Sequence, residues 1–308
     1  MDGMESLHQG SPNARLLTDA YRIPVERAVS AHFGRAWRVQ KFSDMHDLAS
    51  HPAAVLSDGS TPVFVKLSEA AHGQDQFEVE LAGLQLLARR AGALVPPLIG
   101  VIPVEGGVML VMEGVQALER GPQQWRDIGR ALARIHTVKG EQFGLDRQGY
   151  FGPLYQDNRP TRDWLTFFTE RRLWPYFSGA IDSGHLPTGV IKMVEQLIAR
   201  LPELDVPPCA PALLHGDAQQ NNFISTTRGA VVIDPAVYYG NPEMDLAYVD
   251  YFQDVPEDVF LGYQELRSID PGFPARRDLW RVPAYLAAVN VEGQAQLERL
   301  VRALRKYI

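Results

Sequence analysis

The spacing of apolar residues changes character about a third of the way along the chain. Up to about residue 112, short stretches of alternating or continuous apolar residues predict strands, and a Ser-Asp-Gly-Ser turn at 57–60 joins two of them as a hairpin. Residues 75–90 repeat apolar positions every three or four residues, which predicts a single helix that ends near Gly92. The predicted strands are 37–42, 53–56, 62–67, 99–104 and 108–112. This part is therefore expected to be a small, mainly antiparallel sheet that carries one helix.

From about Gly121 the pattern becomes helical. The predicted helices cover 123–138, 161–173, 189–201, 256–267 and 284–307. A short strand pair, around 212–214 and 230–233, interrupts them. The pattern predicts an N-lobe over 17–112, a hinge over 113–116 and a helical C-lobe over 117–308, with a polar, flexible tail over 1–16. A ligand would ordinarily sit in the cleft between two such lobes.

Composition narrows the class of protein. The 308 residues are 45% hydrophobic and 22% charged, which is typical of a globular chain. Thirty basic against 37 acidic residues give a net charge of −7, which disfavours nucleic acid as a partner. The single cysteine, Cys209, excludes an intramolecular disulfide. With no secretory signal pattern and no apolar stretch of about 20 residues, we expect a cytoplasmic protein without membrane contact, as a monomer or weak dimer.

The sharpest chemical signal is LLHGDAQQNNF at 213–223, followed by VVIDPAVYYG at 231–240. The pattern places Asp217 on a loop after a strand, Asn222 five positions later, and Asp234 at the end of the next apolar strand. If two carboxylates and an amide converge on one point, the carboxylates repel each other and lose solvation. This arrangement is unfavourable unless a hard cation lies among them. Oxygen ligands of this kind suit Mg²⁺, which nucleotide-dependent phosphotransferases hold with one or two carboxylates, water and phosphate.

Such a site also needs a cation for the phosphates, and Lys66 is the candidate. In the strand 62–67 the period of two places Lys66 on the same face as Phe64, opposite Val63, Val65 and Leu67. A lysine on an inner face needs a partner, and the helix that follows offers Glu78 or Glu80. Glu80 is the preferred partner.

Together these segments resemble the fructosamine/ketosamine-3-kinase family, which belongs to the protein-kinase-like small-molecule phosphotransferases. The likeness runs from about Leu17 to the C-terminus and includes FVK (64–66), FEVELAGL (77–84), LVMEGV (110–115), FGL (143–145), DWLTFFTERRL (163–173) and DPAVYYG with Glu243 and DLA (245–247). The resemblance implies an α+β, two-lobed protein-kinase-like fold, with an antiparallel-sheet N-lobe carrying one helix and a larger, mainly helical C-lobe.

The resemblance also implies roles for the residues of the C-lobe motifs. Asp217 would be the catalytic base that accepts the proton of the attacking sugar hydroxyl. Asn222 and Asp234 would be the Mg²⁺ ligands. Asp245 would be a buried aspartate that braces the catalytic loop.

For the N-lobe, the resemblance implies a nucleotide site. Lys66 would contact the ATP phosphates, held by Glu80, and the backbone of Glu113 and Val115 would pair with adenine. The reaction would transfer the γ-phosphoryl group of ATP to the 3-hydroxyl of a ketosamine, either a fructosamine or a ribulosamine. Its unstable product would release the amine. The enzyme would therefore have a deglycation repair activity on a small-molecule ketosamine or glycated amine.

Two departures from the family keep other functions open. Residues 42–56, where the family has a glycine-bearing phosphate loop, contain no glycine, which motivates a nucleotide-binding pseudokinase as an alternative. Gln219 stands where the family usually has tryptophan, which keeps an aminoglycoside, choline or sugar kinase open. A protein kinase is disfavoured because only ten residues separate Asp234 from Asp245 (245 − 234 = 11), which leaves little room for an activation segment.

One acidic run has no place in this scheme. It consists of Asp250, Asp254, Glu257 and Asp258. We interpret it as a solvated face, with attraction of a cationic amine substrate as the alternative.

Overall fold

The computed structural model describes residues 11–46 and 51–308, which form two compact units. The first contains the described residues up to Gln85 together with Leu94–Leu118. The second contains Leu86–Ala93 and Glu119–Ile308. The chain passes from the first unit to the second just after the segment predicted as a hinge, 113–116.

The first unit is built on a five-stranded antiparallel sheet with the order β1-β2-β3-β5-β4. Alternation along β3 buries Val63, Val65 and Leu67 completely on one face, where they join a core that includes Trp37. The strands are β1 (Lys41–Asp44), β2 (Ala53–Ser57), β3 (Pro62–Ser68), β4 (Leu98–Val104) and β5 (Gly107–Glu113). The first strand thus begins later than the predicted 37–42.

Two helices accompany this sheet, α1 (Asp19–Phe33) and α2 (Gly73–Ala91). Helix α2 matches the predicted helix, whereas α1 was not predicted, so the expectation of a single helix was wrong. Pro24 lies inside α1, and Glu26 is buried among its core-facing residues, which hides the apolar period. The Glu26 carboxylate is satisfied there, because it accepts from the Val39 amide at 3.0 Å and pairs with Arg22 at 3.0 Å.

The predicted flexible tail over 1–16 differs from the structure where the structure describes it. Residues 1–10 lie outside the described residues. Ala14–Leu17 form a 3₁₀ turn, and Leu16 and Leu17 are buried in the core of the first unit. Asp44 fixes the preceding residues, because its carboxylate accepts hydrogen bonds from the side chains of Ser11 and Asn13. Burial of two leucines therefore orders residues 11–16.

The second unit is mainly helical. Its helices are α3 (Pro122–Ile135), α4 (Trp164–Phe167), α5 (Trp174–Asp182), α6 (Thr188–Arg200), α7 (Glu243–Tyr248), α8 (Asp258–Gln264), α9 (Phe273–Glu292) and α10 (Leu297–Leu304), with a π-helical turn (Phe168–Leu173) between α4 and α5. The long helix α9 packs against α5, α7 and α10. It begins eleven residues before the predicted helix 284–307, and Gly293 interrupts that prediction with a φ of +78°. No described helix has the length and apolar character needed to cross a membrane.

Three small antiparallel pairs complete the second unit. They are β6 (Gly149–Phe151) with β7 (Leu154–Gln156), β8 (Ala212–Leu214) with β11 (Tyr238–Gly240), and β9 (Phe223–Thr226) with β10 (Gly229–Val232). The predicted pairing of 212–214 with 230–233 was therefore wrong. A tight local hairpin takes β10 as the partner of β9, and β8 pairs with β11 instead, with Leu214 opposite Tyr238. The residue that follows β8, His215, contacts the carbonyl of Ile233, which follows β10, at 2.9 Å.

We predict that Asp44→Asn destabilises the protein in a pH-dependent way. Burial alone would raise the pKa of Asp44, but hydrogen bonds from Ser11, Asn13 and His46 outweigh it and lower the pKa to about 2. The carboxylate therefore contributes its full stability above its ordinary pKa of 3.8, and this contribution is lost as the pH falls from 3.8 towards 2. Urea unfolding at pH 7 should show a loss of about 1–2 kcal/mol in the free energy of unfolding.

The control for this prediction is Glu105→Gln in the exposed β4–β5 turn, which should leave the free energy of unfolding unchanged. At pH 2.5 the difference between Asp44→Asn and the parent should be much smaller than at pH 7. A difference of the same size at both pH values would contradict the assigned role of the carboxylate.

Candidate active site

The loop that follows β8 carries Asp217 and has a conformation that requires glycine. Gly216 has a φ of +83°, and a Cβ atom there would lie 2.0 Å from the carbonyl oxygen of Ala236. The amide of Ala236 in turn donates to the carbonyl of His215 at 2.8 Å. The His-Gly-Asp sequence is therefore fitted closely against the segment that follows Asp234.

The carboxylate of Asp245, in α7, holds this loop through hydrogen bonds. Its two carboxylate oxygens separately accept the amides of His215, at 2.7 Å, and Gly216, at 2.9 Å. The Nε2 atom of His136 donates to the same carboxylate at 3.0 Å, and Nδ1 accepts from the hydroxyl of Tyr263 at 2.9 Å. Burial lowers the pKa of His136, which keeps the ring neutral. The bracing contacts predicted for Asp245 are thus present.

His215 itself is a structural member of the loop. Its Nε2 atom donates to the carbonyl of Ile233 at 2.9 Å, so Nδ1 is the acceptor of the Asp217 amide at 3.3 Å. Burial lowers the pKa of this ring too. With both nitrogens engaged, His215 acts as a brace for the loop.

The Asp217 carboxylate is positioned by two side-chain amides. Asn222 donates to its Oδ2 atom at 3.1 Å and to the Asp217 carbonyl at 2.8 Å, and Gln219 reaches Oδ2 at 3.4 Å. Burial raises the pKa of Asp217 to about 7, and the charge of Asp234 adds to this effect, whereas the two amides oppose it. A half-buried carboxylate with a fixed orientation is suited to accept a proton.

Asp234 enters the same site from the end of β10. The amide of Ile233 donates to the carbonyl of Asn222 at 3.0 Å, which continues the β9–β10 register up to Asp234. Within residues 11–46 and 51–308, Asp234 is the only non-glycine residue in the left-handed region, with a φ of +51°. Such conformations cost about 1–3 kcal/mol and concentrate at functional sites. The structure thus brings Asp217, Asn222 and Asp234 together.

The donors at this point fit a hard divalent cation. Because the amide nitrogen of Asn222 donates to Asp217, its oxygen Oδ1 is the atom left to coordinate an ion. In the part of the chain that the structure describes, no group of three or more His, Cys, Asp or Glu side chains is placed to hold a metal. An ion held by Asn222 and Asp234 would complete its shell with water and phosphate, as Mg²⁺ usually does.

In the first unit, Lys66 forms the ion pair that alternation predicted. Its Nζ atom contacts both carboxylate oxygens of Glu80, at 2.9 and 2.8 Å, and the lysine is only 3% exposed. The ring of Phe77 lies 5.5 Å from Nζ. The lysine is thereby held in one position by a bidentate contact with Glu80.

The backbone at the end of β5 is only partly available for a base. The amide of Glu113 donates to the carbonyl of Pro97 at 2.9 Å, and its side chain contacts His32 at 2.8 Å. Of the two main-chain groups of Glu113, only the carbonyl could therefore pair with adenine. The amide of Val115 has no hydrogen-bond partner among the described residues.

Comparison with known proteins decides the family. The fructosamine kinase family matches the chain over residues 23–308. The chain belongs to this family. It is 30% identical over 286 residues to a probable ketoamine kinase from Synechocystis, covering 90% of this chain and 95% of the relative. It is 28% identical over 260 residues to a probable ketoamine kinase from Pasteurella multocida, covering 84% and 89%.

Solved structures agree with this assignment. A protein from Thermobifida fusca, provisionally named a fructosamine-3-kinase, superposes with a TM-score of 0.80 at 32% identity, covering 92% of this chain and 98% of its own. An aminoglycoside phosphotransferase solved with ADP and hygromycin B shares the fold alone, with a TM-score of 0.61 at 13% identity and coverage of 92% and 96%. The predicted family and the predicted α+β, protein-kinase-like fold are confirmed, and the protein is an ATP-dependent phosphotransferase.

Two positioning groups of the kinase were not predicted from the sequence. Arg120 donates to the carbonyl of Gln220 at 2.9 Å and to that of Phe223 at 2.5 Å, which holds the turn that carries Asn222. Glu243 at the start of α7 is buried and accepts from Arg276 and from the indole of Trp280. Neither contact can be predicted from local spacing, because the partners are separated by 33 to 103 residues.

We predict that Asp245→Asn weakens both folding and phosphotransfer in the kinase. Asparagine offers one acceptor oxygen where the carboxylate receives two loop amides, so one buried donor loses its partner. The free energy of unfolding in urea should fall by about 1–3 kcal/mol. Displacement of the loop should lower kcat roughly ten- to a hundredfold. The control is Asp146→Asn, at an exposed aspartate that takes part in no hydrogen bond or ion pair among the described residues. Parent-like stability and kcat in Asp245→Asn would refute the bracing role.

Proposed function

We propose that the kinase phosphorylates the 3-hydroxyl of a small-molecule ketoamine, a fructosamine or a ribulosamine, at the expense of ATP. The family and the names of the relatives support a ketoamine as the acceptor. The observation that carries the proposal is the Asp217 carboxylate, held by Asn222 on a loop that Asp245 braces. In the cytoplasm such a kinase would act in deglycation, because the phosphorylated ketoamine is unstable and releases its amine.

Asp217 is the proposed catalytic base. Its carboxylate accepts the proton of the 3-hydroxyl while the oxygen of that hydroxyl forms a bond to the γ-phosphorus. The bond between the γ-phosphorus and the bridging oxygen breaks, and ADP leaves with the electron pair. The amides of Asn222 and Gln219 orient the carboxylate, so that the proton acceptor is in place before the hydroxyl arrives.

Asn222 and Asp234 are the proposed ligands of Mg²⁺. The ion, when bound, neutralises charge on the phosphates during transfer. Asp234 follows β10 in a left-handed backbone conformation, and the Asn222 amide is fixed by its bonds to Asp217. Both ligands are therefore oriented by the protein and not by the ion.

Lys66 and Glu80 are proposed to serve the nucleotide. The ion pair with Glu80 limits the rotamers of Lys66, which prepares it for contact with the ATP phosphates. For adenine, the carbonyl of Glu113 and the amide of Val115 supply one acceptor and one donor. These are the two hydrogen-bond functions that an adenine edge requires.

Gln219 bears on the choice among alcohol substrates. It places an amide 3.4 Å from the base, at a position where the family usually has tryptophan. An amide favours hydroxyl-rich acceptors and offers no stacking surface, so an aminoglycoside or sugar acceptor is the second candidate. A coupled assay of ATP consumption across fructosamines, ribulosamines, aminoglycosides and sugars separates them, and turnover confined to the last two would overturn the ketoamine proposal.

We predict that Asp217→Asn retains nucleotide binding and loses turnover. The amide cannot accept the hydroxyl proton, so kcat with a ketoamine should fall by about 10²–10⁴. Thermal stabilisation by ATP with Mg²⁺ should remain close to that of the parent. Asp182→Asn, at an exposed aspartate at the end of α5, is the matched control and should keep full activity. An unchanged kcat in Asp217→Asn would remove Asp217 from the role of base.

A further inference from the structure

The sheet of the first unit places a histidine close to Lys66. Ala53, the first residue of β2, lies opposite Lys66 in β3. The carbonyl of Pro52 accepts the amide of Leu67 at 2.8 Å, so the pairing of the two chain segments continues one residue beyond β2. His51 comes immediately before Pro52 and two residues before Ala53.

The alternation of the strands places His51 on the same face of the sheet as Lys66. Residues that lie opposite each other in an antiparallel ladder share a face, and so do residues two positions apart on one strand. Ala53 therefore relates His51 to Lys66. This is the face that α2 covers, since Phe77 and Leu84 of that helix pack in one cluster with residues of β5.

The ring of Phe77 shows that the two side chains are neighbours. Its centre lies 5.4 Å from the centre of the His51 imidazole and 5.5 Å from the Nζ atom of Lys66. Glu80, three residues further along α2, holds Lys66 from the other side. His51 is half-buried, whereas Lys66 is only 3% exposed. The imidazole is therefore the more accessible of the two groups.

The position of this histidine matters because of what the surrounding segment lacks. Residues 42–56, where the family has a glycine-bearing phosphate loop, contain no glycine. Backbone amides approach a phosphate closely only where no side chain intervenes. An imidazole N–H extends well beyond Cβ, so it can donate to a phosphate oxygen without a close approach of the backbone.

We propose that His51 binds the polyphosphate of ATP beside Lys66 and supplies a donor in place of the amides of a glycine loop. The inference rests on the role proposed above for Lys66 and adds a second phosphate-binding residue to that site. The imidazole donates a directed N–H bond to a phosphate oxygen, while the Lys66 ammonium acts as a point charge. The contact with Phe77 keeps the imidazole within reach of the same anion.

Two substitutions of His51 separate phosphate binding from packing. His51→Phe keeps an aromatic ring against Phe77 but has no donor, and His51→Ala loses both the ring and the donor. Each should raise the Kd of ATP with Mg²⁺, measured by calorimetry, roughly tenfold. The Kd of adenosine, which has no phosphate, should not change. In turnover assays KM for ATP should rise in the same way, and KM for the ketoamine should stay at the parent value.

The control is His72→Phe, at an exposed histidine that precedes α2. Its Kd values for ATP and adenosine should match those of the parent. Parent-like ATP binding in His51→Phe would overturn the proposal, because packing against Phe77 would then be the whole role of the ring. An equal loss of adenosine affinity would overturn it too, since the effect would not depend on phosphate. A parent protein that neither binds ATP nor transfers its phosphoryl group would instead count against the proposed function.

Discussion

The buried carboxylate of Asp245 is the constraint on which the catalytic loop depends. A charge without solvent is costly unless donors surround it, and here the donors are two consecutive loop amides and a neutral histidine. The loop cannot move without leaving that charge and two amides unpaired. Glycine is required at 216 for a second reason, because a Cβ atom there would lie 2.0 Å from the carbonyl oxygen of Ala236. Asp217 is placed by this arrangement before any substrate is present.

Other charged side chains also hold the catalytic loop in place, through contacts between residues that are far apart in the sequence. Arg120 closes the turn before β9, and the buried pair of Glu243 with Arg276 anchors the start of α7, the helix that contains Asp245. Breaking a buried pair leaves an uncompensated charge, so each pair restricts the loop to one arrangement. Lys66 and Glu80 do the same in the first unit, where the pair holds the ammonium group in one position.

Local patterns explain what could be predicted from the sequence. Asp217 and Asn222 are five residues apart on one loop, and alternation along β3 was enough to set Lys66 apart from Val65. Pairing between strands that are far apart in the sequence could not be predicted from local patterns. The partner of β8 depends on the competing β9–β10 hairpin, and α1 has no clear apolar period because its core face includes a hydrogen-bonded glutamate. Arg120 reaches the loop across about 100 residues of chain, which no spacing rule anticipates.

A crystal structure of the kinase with MgADP and a fructosamine tests the central claim most directly. The account predicts density for one ion bound by the Asn222 amide oxygen and the Asp234 carboxylate. It also predicts the sugar 3-hydroxyl within hydrogen-bond distance of the Asp217 carboxylate, on a loop whose contacts to Asp245 are unchanged. An ion held by other side chains, or a sugar whose hydroxyls point away from Asp217, would contradict it.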